Sequence, residues 1–376
     1  PSIIILGKML VFTFDMLLGA YYGAGEISDA FILAHALPTI LFDGVATALI
    51  VCYIPIYSQM KVDNPDGLEE YSSNMISLSV MFGLLITVIF EILKKPFLGL
   101  YAHGFSDLAM NLLIIYAQVV MMSLPFIAAF SILRGYLQVN NHVALSNLPQ
   151  IITYVVLIIS LMLFFPNDES LAYATLGGNI IALLILYTIS RKDGFKFHFS
   201  VNIHEHYVKS IFFMMLPIFL SSLVSEINSM VDKFFASYYP AGVVTDLSYG
   251  YKLSFAIQGV VASSVMSILY PHLTTYVAEK NQVEFGKAVR RSMQIISWIC
   301  IPLIISGMVL RNPIIKCIYG HGKFTNENVL ITASIFGLYL IGVFPMSVKH
   351  IFDKACYALN NTKYATISTV ISVTVN

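Results

Sequence analysis

Long runs of apolar residues are the feature of this sequence that most restricts its fold. Residues 75–93 and 143–165 are two of these runs, and each contains at most one charged side chain. A helix needs roughly 20 predominantly apolar residues to cross the hydrocarbon core of a bilayer. Only 11% of the residues are charged, whereas soluble chains average about 25%. The sequence therefore predicts an all-α, polytopic membrane protein.

The apolar runs, separated by polar turns, predict ten complete membrane spans and part of an eleventh. The chain opens at Pro1 inside an apolar span and stops at Asn376 inside another, so we expect a fragment of a longer protein. The predicted spans cover about 1–22, 30–56, 73–93, 108–134, 143–165, 170–190, 209–238, 247–274, 288–310, 327–353, and 364 onward.

Basic residues in the predicted loops and their flanks favour one orientation. Connections after even-numbered spans hold twelve of them and the opposite side holds five, which by the positive-inside rule predicts a cytoplasmic N-terminus. The twelve are Lys61, Arg134, Arg191, Lys192, Lys196, Lys209, Lys280, Lys287, Arg290, Arg291, Lys354 and Lys363. The five are Lys94, Lys95, Arg311, Lys316 and Lys323.

A sequence repeat relates the two halves of the chain. Residues 15–29 align without a gap on 232–246, at an offset of 217 residues, and share two aspartates, a Tyr-Tyr pair and an Ala-Gly pair. A second match places 125–141 on 345–361 at an offset of 220. Because six spans, an even number, separate the copies, both copies face the same way across the membrane. The sequence therefore predicts two parallel six-helix repeats, the second incomplete.

The repeat also predicts the domain organisation. Residues 1–195 would form an N-terminal lobe with spans 1–6, and 196–376 a C-terminal lobe with spans 7–10 and part of span 11. Transporters of this architecture bind substrate in a central cleft between two rocking lobes. A duplicated channel is the alternative.

Composition and loop lengths argue against other classes. The formal net charge is zero, so nothing suggests nucleic acid as a partner. The four cysteines are widely spaced and form no CxxC pair, so we expect buried thiols and no metal site. The short connections leave no room for a soluble catalytic domain, and we therefore expect a protein that is not an enzyme.

Charged and titratable residues inside apolar spans are the candidate functional residues, because charge at mid-membrane usually faces a cavity or a partner. Lys8 and Asp15 lie two helical turns apart in span 1. His35 and Lys252 follow the matched aspartates, Asp29 and Asp246, by six residues each. An ammonium at this depth suits a phosphate-bearing substrate. Other roles stay open for the acidic residues. Asp15 could pair with Lys8 instead of contacting substrate. Asp29 and Asp246 could either cap spans 2 and 8 or contact substrate.

The ordered motifs of this chain resemble those of the MviN/MurJ flippases, within the multidrug/oligosaccharidyl-lipid/polysaccharide exporter superfamily. Residues 7–31 read Gly-Lys-x6-Asp-x7-Gly-Ala-Gly-x3-Asp-Ala-Phe. The segments 133–138, 231–237, 249–253, 312–316 and 319–325 also agree with the family. The resemblance covers essentially the whole chain.

This resemblance implies a two-lobed flippase of the bacterial cytoplasmic membrane that carries lipid II, the undecaprenyl-diphosphate-linked peptidoglycan precursor. We expect it to act as a monomer. Lys8 and Lys252 stand where the family usually has arginines, and Asp15 matches a family aspartate. Together with His35 and Asp29, which the repeat singles out, they are the predicted substrate-binding residues. Phe14 and Ala36 replace two arginines, and 39–43 lacks an arginine pair. These departures leave open another polyprenyl-linked saccharide, such as a capsular or exopolysaccharide unit. Cation-coupled drug export and a membrane transferase are more distant alternatives.

Energy coupling is expected at Asp232 in span 7. The chain has no phosphate-binding Gly-Lys-Ser/Thr loop, so we expect no cofactor and no direct use of ATP. A carboxylate in a dry cleft can accept Na+ or a proton, and Asn376 in span 11 is the expected second ligand. The alternative is an ion pair of Asp232 with Lys233 or Lys252.

Overall fold

The computed structural model describes residues 2–63, 65–203 and 206–359. Thirteen α-helices and no strand occur in these ranges. The helices are α1 Ser2–Tyr22, α2 Glu26–Pro38, α3 Gly44–Asp63, α4 Leu68–Tyr101, α5 Asp107–Met121, α6 Leu124–Val139, α7 Leu148–Phe164, α8 Glu169–Lys192, α9 His206–Ala236, α10 Val243–Ala278, α11 Gln282–Val309, α12 Arg311–Tyr319 and α13 Asn326–Ala358.

The prediction of a polytopic, all-α membrane protein is confirmed. Seven continuous helical stretches are long and apolar enough to cross a membrane, and α5 with α6, bent by 42°, makes an eighth. The two other predicted complete spans coincide with α9 and α10, which are 31 and 36 residues long. The predicted eleventh span lies outside the described residues.

Span 2 is a continuous helical stretch with an irregular turn in its middle. Between α2 and α3 the chain forms a π-helical turn at Thr39–Asp43, directly after Pro38. Proline removes a backbone donor and crowds the preceding turn, and a single π turn accommodates such a disruption without ending the helix. The wider turn leaves Asp43 exposed beside the start of α3.

Helix α4 shows the polarity expected of a lipid-facing helix. Its first turns carry buried polar side chains, among them Ser73 and Asn74, both 0% exposed. Between residues 81 and 93 the exposed side chains are apolar: Met81, Phe82, Leu84, Leu85, Val88, Ile89, Ile92 and Leu93. In lipid, small polar groups pack between helices while large apolar groups face the acyl chains.

The helices form two compact units, which divide between Ala241 and Gly242. In the first unit α3 packs against α6 and α9, α2 against α5, and α7 against α1 and α8. In the second unit α10 packs against α11 and α13, and Tyr249 stacks on Tyr319 with ring centroids 4.5 Å apart. The predicted division into lobes at 195/196 stays a prediction.

Candidate functional site

A buried aspartate in α1 is the first element of the candidate site. Asp15 is 1% exposed and Phe14, beside it, is 2% exposed. The Phe14 ring packs edge-on against both Phe31 of α2 and Tyr154 of α7, each at 5.8 Å. Asp15 and Tyr154 interact electrostatically. The carboxylate therefore lies in an aromatic setting inside the first unit, where charge interactions are stronger than in water.

His35 joins the same group from α2. Its ring stacks on Phe31 at 5.5 Å and meets Tyr154 edge-on at 6.0 Å. Asp15 and His35, selected separately from the sequence, thus both border Tyr154. We call Phe14, Asp15, Phe31, His35 and Tyr154 the Tyr154 cluster. The cluster therefore places a carboxylate, an imidazole and a phenol in one low-dielectric group.

Tyr154 was not selected from the sequence. It is the one titratable residue in the sequence of α7, 148–164, and this isolation in an apolar helix was the available signal. Its role depends on α1, α2 and α7 converging, which a linear pattern does not reveal.

Lys8 lies outside the Tyr154 cluster. It is exposed on α1, two turns before the buried Asp15. The neighbouring Gly7 faces α7, where an added Cβ would lie 3.2 Å from Gln150 Oε1. Lys8 and Asp15 therefore share a helix but differ in environment. The exposed ammonium of Lys8 is accessible to an anionic ligand.

The matched aspartates Asp29 and Asp246 occupy equivalent places at the starts of α2 and α10. Each backbone N–H donates to the carbonyl of the glycine four residues earlier, Gly25 or Gly242, at 2.9 Å. Those glycines hold the N-cap positions. The interpretation of the aspartates as N-caps is therefore wrong. They are buried and lie one turn inside the helix, where the positive end of the helix dipole still stabilises a carboxylate.

Asp246 has a structural role within the second unit. It is 0% exposed, and its Oδ1 accepts a hydrogen bond from Thr332 Oγ1 of α13 at 2.9 Å. Asn328 Nδ2, one turn earlier on α13, lies 3.5 Å from Oδ2. The carboxylate therefore ties α10 to α13.

Replacing Thr332 by valine should lower the free energy of unfolding by about 1.5–3 kcal/mol, because a buried carboxylate loses a charge-assisted hydrogen bond. Thermal unfolding in detergent measures the change. Thr274→Val, at an exposed position of α10, is the matched control and should have little effect. Equal melting temperatures for the two variants would contradict the tie.

The remaining predicted residues lie in separate places. Lys252 is half-buried in α10 of the second unit, six residues after Asp246. Asp232 is half-buried in α9 of the first unit, and both residues take part in further interactions. Asn376 lies outside the described residues. Within the described ranges no group of three or more His, Cys, Asp or Glu is arranged to hold a metal ion.

The first unit contains a second polar group, which is not among the candidate residues selected from the sequence. Asp43, at the end of the π turn, interacts electrostatically with Arg134 of α6 and Glu226 of α9. The backbone approaches α9 closely here, since a Cβ on Gly44 would lie 2.9 Å from Ser222 Cβ. This group depends on the close contact of α3 with α9, which a linear sequence pattern does not reveal.

Gly44→Ala should destabilise the protein by about 1–3 kcal/mol, because the added methyl group forces α3 away from α9. Gly177→Ala on α8, where a Cβ meets nothing within 4 Å, is the matched control and should be neutral or stabilising. Adding Ser222→Gly to Gly44→Ala should restore stability. Equal melting temperatures for Gly44→Ala and Gly177→Ala would contradict the close contact between α3 and α9.

Comparison of the sequence with known proteins identifies the family to which the chain belongs. The sequence model of the family described as "Lipid II flippase MurJ" matches residues 18–376. The chain belongs to the lipid II flippase MurJ family. A probable lipid II flippase MurJ of Rhizobium meliloti (strain 1021) is 22% identical over 385 residues, covering 98% of this chain and 71% of the relative.

Two solved structures have a similar fold. The structure described as lipid II flippase MurJ in an inward closed conformation matches with a TM-score of 0.85 at 22% identity, covering 99% of this chain and 78% of that one. An inward-facing multidrug resistance MATE transporter of the MOP superfamily matches with a TM-score of 0.72 at 15% identity, covering 98% and 84%. The resemblance to MurJ motifs found in the sequence is therefore confirmed.

Proposed function

We propose that the protein moves lipid II across the bacterial cytoplasmic membrane by alternating access. The family match over residues 18–376 is the observation that carries this proposal. In the proposed cycle the polar headgroup crosses between two lobes while the prenyl tail stays in lipid. No bond is made or broken in this cycle, so the protein acts as a transporter and not as an enzyme.

The diphosphate is the part of lipid II that the charged residues would recognise. Lys8 and Lys252 would attract it as point charges, which suits a ligand whose negative charge is spread over several oxygens. His35 would assist when protonated. The carboxylates of Asp15 and Asp29 would accept hydrogen bonds from hydroxyl or amide groups of the headgroup.

The orientation and assembly belong to the same proposal. Twelve basic residues against five support a cytoplasmic N-terminus. In the proposed cycle the substrate enters from the cytoplasmic leaflet. We propose a monomer, because each lobe of such a transporter supplies half of the cleft. Membrane lipids are the remaining partners.

A second substrate has one observation in its favour. Phe14 stands where the resemblance to the family implies an arginine. The Phe14 side chain is buried in the Tyr154 cluster. One cation fewer near Asp15 changes which headgroup fits best. Another polyprenyl-linked saccharide is therefore the alternative cargo.

Complementation separates the two substrates. The full-length gene should restore growth to a bacterium whose own lipid II flippase is depleted, because only lipid II transport relieves that block. A full-length gene carrying both Lys8→Ala and Lys252→Ala is the control and should fail at equal expression. Failure of the wild-type gene at normal expression would favour the alternative cargo.

A further inference from the structure

The connection between α8 and α9 has a regular alternating sequence. Residues 195–203, which we call the strap, contain no helix, and no turn before Ile203. The alternate N–H groups of residues 198, 200 and 202 all donate to one neighbour, α4, as they would from an extended chain. Apolar and polar residues alternate along all nine positions: Phe, Lys, Phe, His, Phe, Ser, Val, Asn, Ile. An extended chain places alternate side chains on opposite faces. The strap therefore has one apolar face and one polar face.

Side chains of α4 hold one edge of the strap. Three alternate backbone N–H groups donate to them: His198 to Ser73 Oγ at 3.4 Å, Ser200 to Ser77 Oγ at 3.4 Å, and Asn202 to Asn74 Oδ1 at 2.8 Å. Asn74 Nδ2 also donates to the Asn202 carbonyl at 2.9 Å. These α4 side chains are buried. They accept backbone hydrogen bonds from the strap, as the carbonyl groups of a neighbouring β-strand would.

The apolar face of the strap is open. Its first member, Phe195, is 3% exposed and packs against Tyr136 and Tyr187. The next four are exposed: Phe197 by 40%, Phe199 by 73%, Val201 by 44% and Ile203 by 58%. Four successive apolar side chains on one face form a contiguous patch, which marks an interaction surface.

The position of the strap along the helices identifies what covers this patch. Helix α8, a candidate membrane span, ends at Lys192, three residues before the strap. On α4, the contacts at 73–77 lie one turn before the lipid-facing side chains that begin at Met81. The strap therefore lies where the hydrocarbon core meets the headgroups.

The charges around the strap match the same surface. Arg191, Lys192 and Lys196 are all exposed. Basic residues at the edge of a membrane are attracted to anionic phospholipids. An extended backbone enters lipid only when its polar groups are satisfied, and the α4 side chains satisfy three N–H groups here.

We propose that the strap is an interfacial membrane anchor for anionic phospholipids. Phe197, Phe199, Val201 and Ile203 insert at the boundary between headgroups and acyl chains, and the three basic residues bind lipid phosphates. The anchor fixes the connection between the predicted repeats at the membrane surface, and it does not depend on the identity of the transported lipid.

Tryptophan fluorescence tests this anchor. The chain has one tryptophan, Trp298, so Trp298→Phe gives a silent background. Phe199→Trp then reports the apolar face, and His198→Trp, the adjacent residue on the polar face, is the matched control. The proteins are reconstituted into phosphatidylglycerol–phosphatidylethanolamine vesicles. We expect lipids brominated near the headgroup to quench position 199 about threefold more than position 198, and aqueous acrylamide to show the reverse order.

Further arms cover lipid charge and protein partners. Replacing phosphatidylglycerol by phosphatidylcholine, or introducing Lys192→Gln and Lys196→Gln, should reduce lipid quenching at position 199. Val201→Trp provides a second reporter on the apolar face if Phe199→Trp does not fold. Equal acrylamide access at both faces in anionic vesicles overturns the anchor. If acrylamide reaches position 199 in vesicles but not in native membranes, a protein covers the patch, and the anchor is again overturned. Equal lipid quenching at position 199 in phosphatidylglycerol and phosphatidylcholine vesicles overturns the preference for anionic lipid.

Discussion

Replacing either Lys8 or Lys252 by alanine should reduce lipid II transport at least about tenfold without loss of folded protein. Lys8 is exposed on α1 and Lys252 is half-buried on α10, so neither supports a tightly packed core. Each ammonium would make a charge-assisted contact with the diphosphate, and such contacts contribute about 1.5–3 kcal/mol, or roughly 10- to 150-fold in binding. Transport of labelled lipid II in proteoliposomes measures the effect.

Two comparisons make this result specific. Lys8→Arg and Lys252→Arg keep the charge and should retain more transport than the alanine variants, although the two bases differ in geometry. Lys280→Ala, at an exposed position after α10, removes a charge outside the predicted binding set and should transport normally. If Lys8→Ala or Lys252→Ala matches the wild-type rate, that lysine does not bind substrate.

Asp232→Asn should retain the fold but lose dependence on an ion gradient. We propose that Asp232, half-buried in α9, helps to bind a coupling Na+ or proton, with Asn376 as a further ligand. An ion biases the equilibrium between two conformations only through its different affinities for them, and the neutral amide removes most of that difference. Lipid II transport under imposed sodium and proton gradients measures the coupling.

Asp63→Asn, an exposed change at the end of α3, is the matched control for Asp232 and should respond to the gradients like the wild type. The membrane potential is the other energy source, worth about 2.3 kcal/mol per charge per 100 mV. The coupling role is wrong if wild type and Asp232→Asn respond identically to both gradients. That result would favour the ion pair of Asp232 with a lysine.

Hydropathy predicted the membrane architecture well because bilayer thickness sets the length of each apolar run. It predicted the ends of helices less well. Helix α4 begins at Leu68, five residues before the predicted span, because its first turns are polar and pack inside the protein. The π turn at Thr39–Asp43 was also missed, since Pro38 in the sequence indicates a disruption but not its form.

The candidate site could be predicted only in part. Asp15 and His35 are visible as polar residues in apolar runs, but their meeting at Tyr154 depends on the packing of three helices. Asp29 and Asp246 resemble N-caps because aspartate is common there. The structure instead gives those positions to Gly25 and Gly242, since the aspartates point into the interior one turn later.

Transfer of lipid II between leaflets is the most direct test of the proposed function. Fluorescent lipid II is placed in one leaflet of proteoliposomes, and a membrane-impermeant reagent measures its arrival in the other. The account predicts rapid transfer by the full-length protein and transfer at the protein-free rate by the Lys8→Ala, Lys252→Ala double variant. Wild-type transfer no faster than in protein-free vesicles, with Lys280→Ala equally inactive, would contradict lipid II transport by this protein.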